Sequence, residues 1–156
     1  PLFKVLGQGR EVVFDVNHLN GLKITGNARE IRAALLNLFK NSCEAGAQKI
    51  SVSIHRKTLD QDLLVQGGEN LSMGEYIEVL VTDNGHGIPK DRIEKIFQPT
   101  FTTKPEGTGF GLSMVRGAMK RHKGGVTVES RERTASEPGE TTFRLFFPVP
   151  QPGEVE

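Results

Sequence analysis

The 156 residues include one cysteine, Cys43, so no internal disulfide is available and the chain suits a reducing compartment. No apolar run approaches the roughly 18 residues of a membrane-spanning helix, and no signal-peptide pattern opens the chain. No basic block occurs either. The net charge of +1 is spread over both signs, so the electrostatic footprint of a nucleic-acid binder is missing. The two common nucleotide-loop patterns are also missing: there is no GxxxxGK[ST], and GTGFG is not a GxGxxG that follows a strand. With 36% apolar and 25% charged positions, the composition supports one domain with its own core and no second one. That domain is expected over residues 1–150, with 151–156 as a loose tail. Opening on Pro1 and not on methionine, the sequence reads as a segment of something longer.

The most distinctive stretch runs from residue 83 to 112, through DNGHGIP, IFQPTFTTK and GTGFGL. Glycine turns alternate there with hydroxyl, aromatic and lysine side chains, a composition suited to surrounding a phosphorylated ligand and hard to use as core. Gly107, Gly109 and Gly111 stand just before a helical pattern, where backbone N–H groups and a helix N-terminus would face an anion. A glycine triplet alone is equally an ordinary loop. Phe97 and Phe101 bracket QPT, either as a lid over a base or as local core. Lys104 reads as a point charge for a terminal phosphate or as a solvated lysine.

The elements around this stretch follow from periodicity. EVVFDV (11–16) and GLKIT (21–25) read as short strands around an Asn/Gly turn. Asn27, three residues before Glu30, has the spacing of a capping box and opens a helix that Gly46 closes. Ile31, Ala34, Leu35, Leu38 and Phe39 form its apolar side. Asn37, Asn41 and Glu44 fall elsewhere, within roughly 60° of one another at about 100° per residue. That stripe is either a solvated face or a ligand set, since a carboxamide oxygen can hold a hard cation such as magnesium. KISVSIH (49–55) alternates as a half-buried strand, and 58–74 reads as a variable hairpin loop. In EYIEVLVTD (75–83), Ile77, Val79, Val81 and Asp83 share a face, so the pleat aims the carboxylate toward the covered side of the sheet. Two readings stand open there: an acceptor for an exocyclic amine, or the opening residue of a DNG turn. Pro89 starts a short helix carrying Ile93, Ile96 and Phe97. Leu112, Val115 and Met119 mark another, whose C-terminal Lys120, Arg121, His122 and Lys123 suit the helix dipole, with Gly124 and Gly125 as its stop. Residues 126–130 and 142–149 are the last strands expected.

In this order, NLFKNSCEA, DNGHGIP, IFQPTFTTK and GTGFGLSMV resemble the N box, first glycine box, phenylalanine box and second glycine box of sensor histidine kinase catalytic domains. The resemblance spans about residues 11–149. It implies the two-layer α/β sandwich of the GHKL ATPases and kinases, a mixed sheet covered on one face by helices. It also implies ATP and Mg2+ as ligands, with Asn41 on the metal, Asn37 near the phosphates, and Asn37, Asn41 and Lys104 as the catalytic set. Asp83 would take the adenine amine, Gly85 and Gly87 would shape the base pocket, and Thr141 would approach the base from the sheet. Lys104, Thr108, Gly109, Gly111 and Leu112 would line the triphosphate. Glu44, Ile88, Phe101, Thr102, Thr103, Gly107 and Phe110 complete the implied nucleotide-binding set.

The reaction implied is transfer of the ATP γ-phosphate to a histidine in two-component signalling, a chemistry that asks for positioning and charge dispersal. None of His18, His55, His86 and His122 is followed by the acidic residue of a phosphoacceptor motif, so the acceptor is expected on a separate dimerisation and phosphotransfer segment of the parent protein. The fragment is expected to be monomeric and cytoplasmic, without nucleic-acid binding or membrane insertion of its own. Its parent is expected to be a homodimer, compatible with membrane anchoring, that acts on a downstream response regulator. Related hydrolytic ATPases carry a glutamate where this chain has Asn37, and a carboxamide takes no proton at neutral pH. A GHKL-type ATPase, a serine-directed anti-sigma kinase and a non-catalytic nucleotide-binding module are the alternative readings.

Overall fold

The structure is a computed structural model and describes residues 9–15, 23–99 and 111–150. Its elements in chain order are β1 (Glu11–Asp15), α1 (Ala28–Glu44), β2 (Lys49–Leu59), β3 (Gly67–Gly68), β4 (Gly74–Asp83), α2 (Gly111–Arg121), β5 (Gly125–Arg131) and β6 (Glu140–Pro148). The strands form one mixed sheet in the order β1-β2-β4-β6-β5-β3, parallel between β1 and β2 and antiparallel elsewhere. Both helices lie on one face. Ala34, Leu38 and Phe39 of α1 and Val115, Ala118 and Met119 of α2 share a buried core with Ile50, Val52, Val79, Val81, Phe143 and Leu145 of the sheet. This is the expected two-layer sandwich.

Local chemistry explains the first helix. The Asn27 side-chain oxygen accepts from the Arg29 and Glu30 N–H groups at 3.0 and 3.2 Å, satisfying donors that have no intrahelical partner. At the other end the Gly46 N–H returns to the Cys43 carbonyl. The capping box is only half formed, however. Glu30 does not turn back to the Asn27 N–H but pairs with Arg121 at the end of α2. The Asn27 N–H donates instead to His122 Nε2 at 2.9 Å. The other ring nitrogen lies 2.7 Å from the Ala118 carbonyl, which can only accept, so Nδ1 carries the proton and Nε2 is the acceptor. His122 therefore does not serve as a dipole cation. It is a buried clasp between the start of α1 and the end of α2, edge-on to Phe147.

Several expected elements differ from the structure. Lys23–Thr25 forms no strand; Ile24 packs on the core instead, and β1 finds its partner in β2. Residues 16–22 lie outside the described residues. The helix expected after Pro89 is a run of turns over residues 90–97, because Ile96 and Phe97, consecutive in sequence, are both drawn into the core. Phe97 stands edge-to-face on Phe143 with centroids 6.3 Å apart, so core packing is its role. β2 continues to Leu59, beyond the expected stop at His55, and the connection to β4 carries β3 to the far edge of the sheet.

That connection covers part of the face opposite the helices. Leu71, Tyr76 and Phe146 form a second buried cluster there, and the Tyr76 hydroxyl donates to the Ser72 carbonyl at 2.8 Å. On the same face buried Glu78 meets Arg144 at 3.5 Å, which in turn reaches Glu129 at 3.8 Å. Burial first, and then the charge of Asp62, hold the Tyr76 hydroxyl above the ordinary tyrosine range.

Two outcomes follow from this packing. His122→Ala removes the acceptor of the Asn27 N–H and the ring against Phe147, and should cost about 2 kcal/mol, read as a lower urea midpoint at unchanged slope. Because the folded protein raises the Tyr76 pKa, its contribution is present below the unfolded value of 10.0 and is lost as pH rises through the folded value. Tyr76→Phe should accordingly flatten the alkaline limb of the stability curve.

Candidate functional site

Three neighbouring strands change character at the same end of the helix-covered face. On β4 the row Ile77, Val79, Val81 ends in Asp83; on β5 the row Val126, Val128 ends in Ser130; on β6 Thr141 precedes Phe143 and Leu145. Asp83 pairs with Thr141 in the ladder and Thr141 with Ser130, so the three polar side chains stand side by side. Asp83 and Thr141 are buried, 4% and 3% exposed. An inward-facing row that turns polar on adjacent strands at one end does not serve the core, and buried polar groups demand partners.

The partners come from three directions. Ser42 of α1 donates its hydroxyl proton to Asp83 Oδ2 at 2.7 Å, and the Gly85 N–H donates to Oδ1 at 2.9 Å. The two readings of this carboxylate in the sequence are thus not exclusive, since one oxygen closes the turn and the other faces the helix. Thr141 and Ser130 share a hydrogen bond of 2.7 Å, and Ser130 Oγ accepts from the Ile88 N–H at 2.8 Å.

The glycine turn between these groups is held from both sides. Asn84 Oδ1 accepts from the Gln48 and Lys49 N–H groups at 2.8 and 2.9 Å, and the His86 N–H donates to the Ala45 carbonyl. From the β5–β6 connection, the Arg133 N–H donates to the His86 carbonyl at 2.8 Å and its guanidinium to the Asn84 carbonyl at 3.1 Å. Gly87 adopts a φ of +82°, and a Cβ on it would lie 2.2 Å from the Arg131 carbonyl oxygen. A Cβ on Gly139 would lie 2.1 Å from the Gly85 carbonyl oxygen, so both sides of this contact between the turn and the β5–β6 connection require glycine.

On α1, half-buried Asn41 immediately precedes Ser42, with half-buried Asn37 one turn earlier. Gly111 opens α2 against Asn37: a Cβ there would sit 3.7 Å from Asn37 Oδ1. The structure therefore places Gly111 beside Asn37 and groups Asp83, Gly85, Thr141 and, through Ser130, Ile88 at the end of the sheet that Ser42 joins to α1, with Gly87 in the same turn and Asn41 next to Ser42 in the helix. Leu112 and Ile88 pack partly buried against the core. Glu44 is exposed on the last turn of α1, 3.9 Å from Lys40. Phe101, Thr102, Thr103, Lys104, Gly107, Thr108, Gly109 and Phe110 lie outside the described residues. Ser42, Asn84, Ser130 and Arg133 were not singled out from the sequence. Ser42 did leave a signal: it continues the helical period of Leu38 and Phe39, so it is a serine at a core position.

The model of the histidine kinase-, DNA gyrase B- and HSP90-like ATPase family matches residues 26–151. Among curated proteins the chain is 33% identical over 127 residues to the sensor histidine kinase ZraS of Escherichia coli, which covers 81% of this chain and 23% of that protein. To the sensory histidine kinase/phosphatase NtrB of Rhodobacter capsulatus it is 34% identical over 128 residues, covering 80% and 33%. The chain thus spans a quarter to a third of the length of these relatives. Among solved structures it resembles the catalytic domain of the histidine kinase ThkA, with a TM-score of 0.64 at 26% identity over 94% of this chain and 82% of that one. The fold is shared with the mycobacterial sensor histidine kinase MprB, at a TM-score of 0.68 and 20% identity over 95% and 88% of the two chains. With the matching family model covering most of its length, this chain is a member of the histidine kinase-, DNA gyrase B- and HSP90-like ATPase family.

Proposed function

We propose that the chain is the ATP-binding catalytic domain of a sensor histidine kinase, passing the γ-phosphate of Mg-ATP to a histidine on a separate dimerisation and phosphoacceptor segment. The observation that carries this reading is the buried Asp83 carboxylate, held at both oxygens, at the polar end of the sheet and bonded to Ser42 of the helix that also carries Asn37 and Asn41. A carboxylate there offers only acceptors, which suits the 6-amino group of adenine and repels the 6-oxo group of guanine. Gly85 and Gly87 would shape the turn beside the base, lying against Ala45 and Arg131 too closely for any side chain, and Thr141 would approach the base from the sheet.

Asn41 is the group that would hold magnesium. Among the described residues no three histidine, cysteine or carboxylate side chains gather as a metal site. A hard cation with a single carboxamide ligand and the rest from phosphates and water fits that donor set. Bound Mg-ATP supplies the phosphoryl group and the neutralising cation; the chain's own part is to orient the base, exclude water and present N–H groups at the start of α2 beside Asn37. By the family resemblance, Lys104, Thr108, Gly109, Gly111 and Leu112 would line the triphosphate. Phosphotransfer is favoured over hydrolysis because Asn37 has no basic lone pair, and Glu44, on the same helix, lies exposed beside Lys40. The acceptor segment, a downstream response regulator, a dimeric parent and a cytoplasmic location belong to the same proposal. No helix among the described residues is long and apolar enough to cross a membrane.

Asp83→Asn should lower affinity for a non-hydrolysable ATP analogue about ten- to a hundredfold by calorimetry, since a charge-assisted hydrogen bond is worth about 1.5–3 kcal/mol. Asn41→Ala should weaken magnesium-dependent binding and leave adenosine recognition mostly intact. Gly139→Ala, whose methyl group collides with the Gly85 carbonyl, should weaken nucleotide binding with β-sheet circular dichroism retained. Incubation with ATP, magnesium and a separately made acceptor segment of the parent should yield acid-labile phosphate on that segment; steady ATP hydrolysis by the chain alone, without transfer, would reverse the reading.

A further inference from the structure

We infer that Ser42 is a positioning residue for base selection, setting the plane of the Asp83 carboxylate so that a remaining lone pair on it is presented to the purine 6-amino group. The inference rests on the reading of Asp83 given above. Ser42 is 1% exposed, and its hydroxyl serves Asp83 Oδ2 at 2.7 Å. Without that bond, the carboxylate is held at Oδ1 alone by the Gly85 N–H, and rotation about its terminal torsion is opposed at one oxygen only. The Gly85 donor belongs to a turn. Ser42 belongs to α1, which is anchored by Leu38 and Phe39 in the core. The second donor therefore ties the carboxylate to the rigid layer, and to the same helical segment that presents Asn41.

A serine hydroxyl has one proton, and here it goes to the carboxylate. A core alanine would fill this position without any buried polar group to satisfy, so the hydroxyl contributes through Asp83 and not through packing. The residue touches no reacting atom. Its effect is expected on discrimination between bases, with the phosphate side left intact.

The test compares binding of ATP with binding of the purine ribonucleoside triphosphate that lacks the 6-amino group, both with magnesium, by calorimetry on the whole chain. The wild type should prefer ATP by about tenfold or more, the worth of a charge-assisted hydrogen bond. Ser42→Ala should lose most of that preference through weaker ATP binding, with affinity for the 6-unsubstituted analogue unchanged. Ser42→Thr, which keeps the hydroxyl, should restore the preference. Ser42→Cys, nearly isosteric with a weak donor, should behave like alanine and serves in its place should Ser42→Ala not fold. Full wild-type preference in the alanine or cysteine variant overturns the inference while leaving the Asp83 reading intact. Equal binding of the two nucleotides by the wild type, in contrast, overturns the Asp83 reading itself.

Discussion

A carboxylate buried at the end of a central strand constrains everything around it. Withdrawing such a group from water without partners costs several kcal/mol, so the fold must bring donors to Asp83 or lose it. Those donors are the Ser42 hydroxyl and the Gly85 N–H. The first sets how α1 lies on β4; the second sets the conformation of the turn that follows. The depth of Asn41 and Asn37 along the same helix is then determined, because Asn41 precedes Ser42 directly and Asn37 lies one turn away. One hydrogen-bonded group thus ties the layer that carries the metal-binding candidate to the sheet that would carry the base.

The glycine turn acts as the joint between these layers. Asn84 and His86 attach it to the segment after α1, and Arg133 and Gly139 press the β5–β6 connection onto its other side. Such a turn is held by backbone contacts too close for side chains. At the opposite end of α1, His122 accepts from the Asn27 N–H and so links the helix start to the end of α2. The two helices are consequently linked at the start of α1, while near its other end α1 is fixed to Asp83 through Ser42. Preorganisation of this kind is what phosphoryl transfer requires of a protein, since binding and positioning supply most of the rate.

The face away from the helices follows a different logic. Tyr76, Leu71 and Phe146 are covered there by the connection before β4, and buried Glu78 is neutralised by Arg144. These groups stabilise the sheet without reaching the site. The family contains kinases and ATPases on one scaffold, and the scaffold alone does not choose between them. In this chain position 37 carries a carboxamide, where hydrolysis would call for a base.

Much of this was legible in the residues. Asn27 and Gly46 bounded α1, alternation defined β4, and strand parity alone placed Asp83 on the covered face, because these signals are local and repeat at fixed periods. The ordered motifs named the family. What the tertiary structure alone decided is long-range: that β1 pairs with β2 and not with the segment just after it, that Ile96 and Phe97 leave a helix for the core, and that His122 is a clasp and not a surface cation. Ser42 is the clearest case. Its helical position marked it as buried, but its partner lies on a strand far away in sequence, and only folding brings a donor and an acceptor separated by that much chain to 2.7 Å.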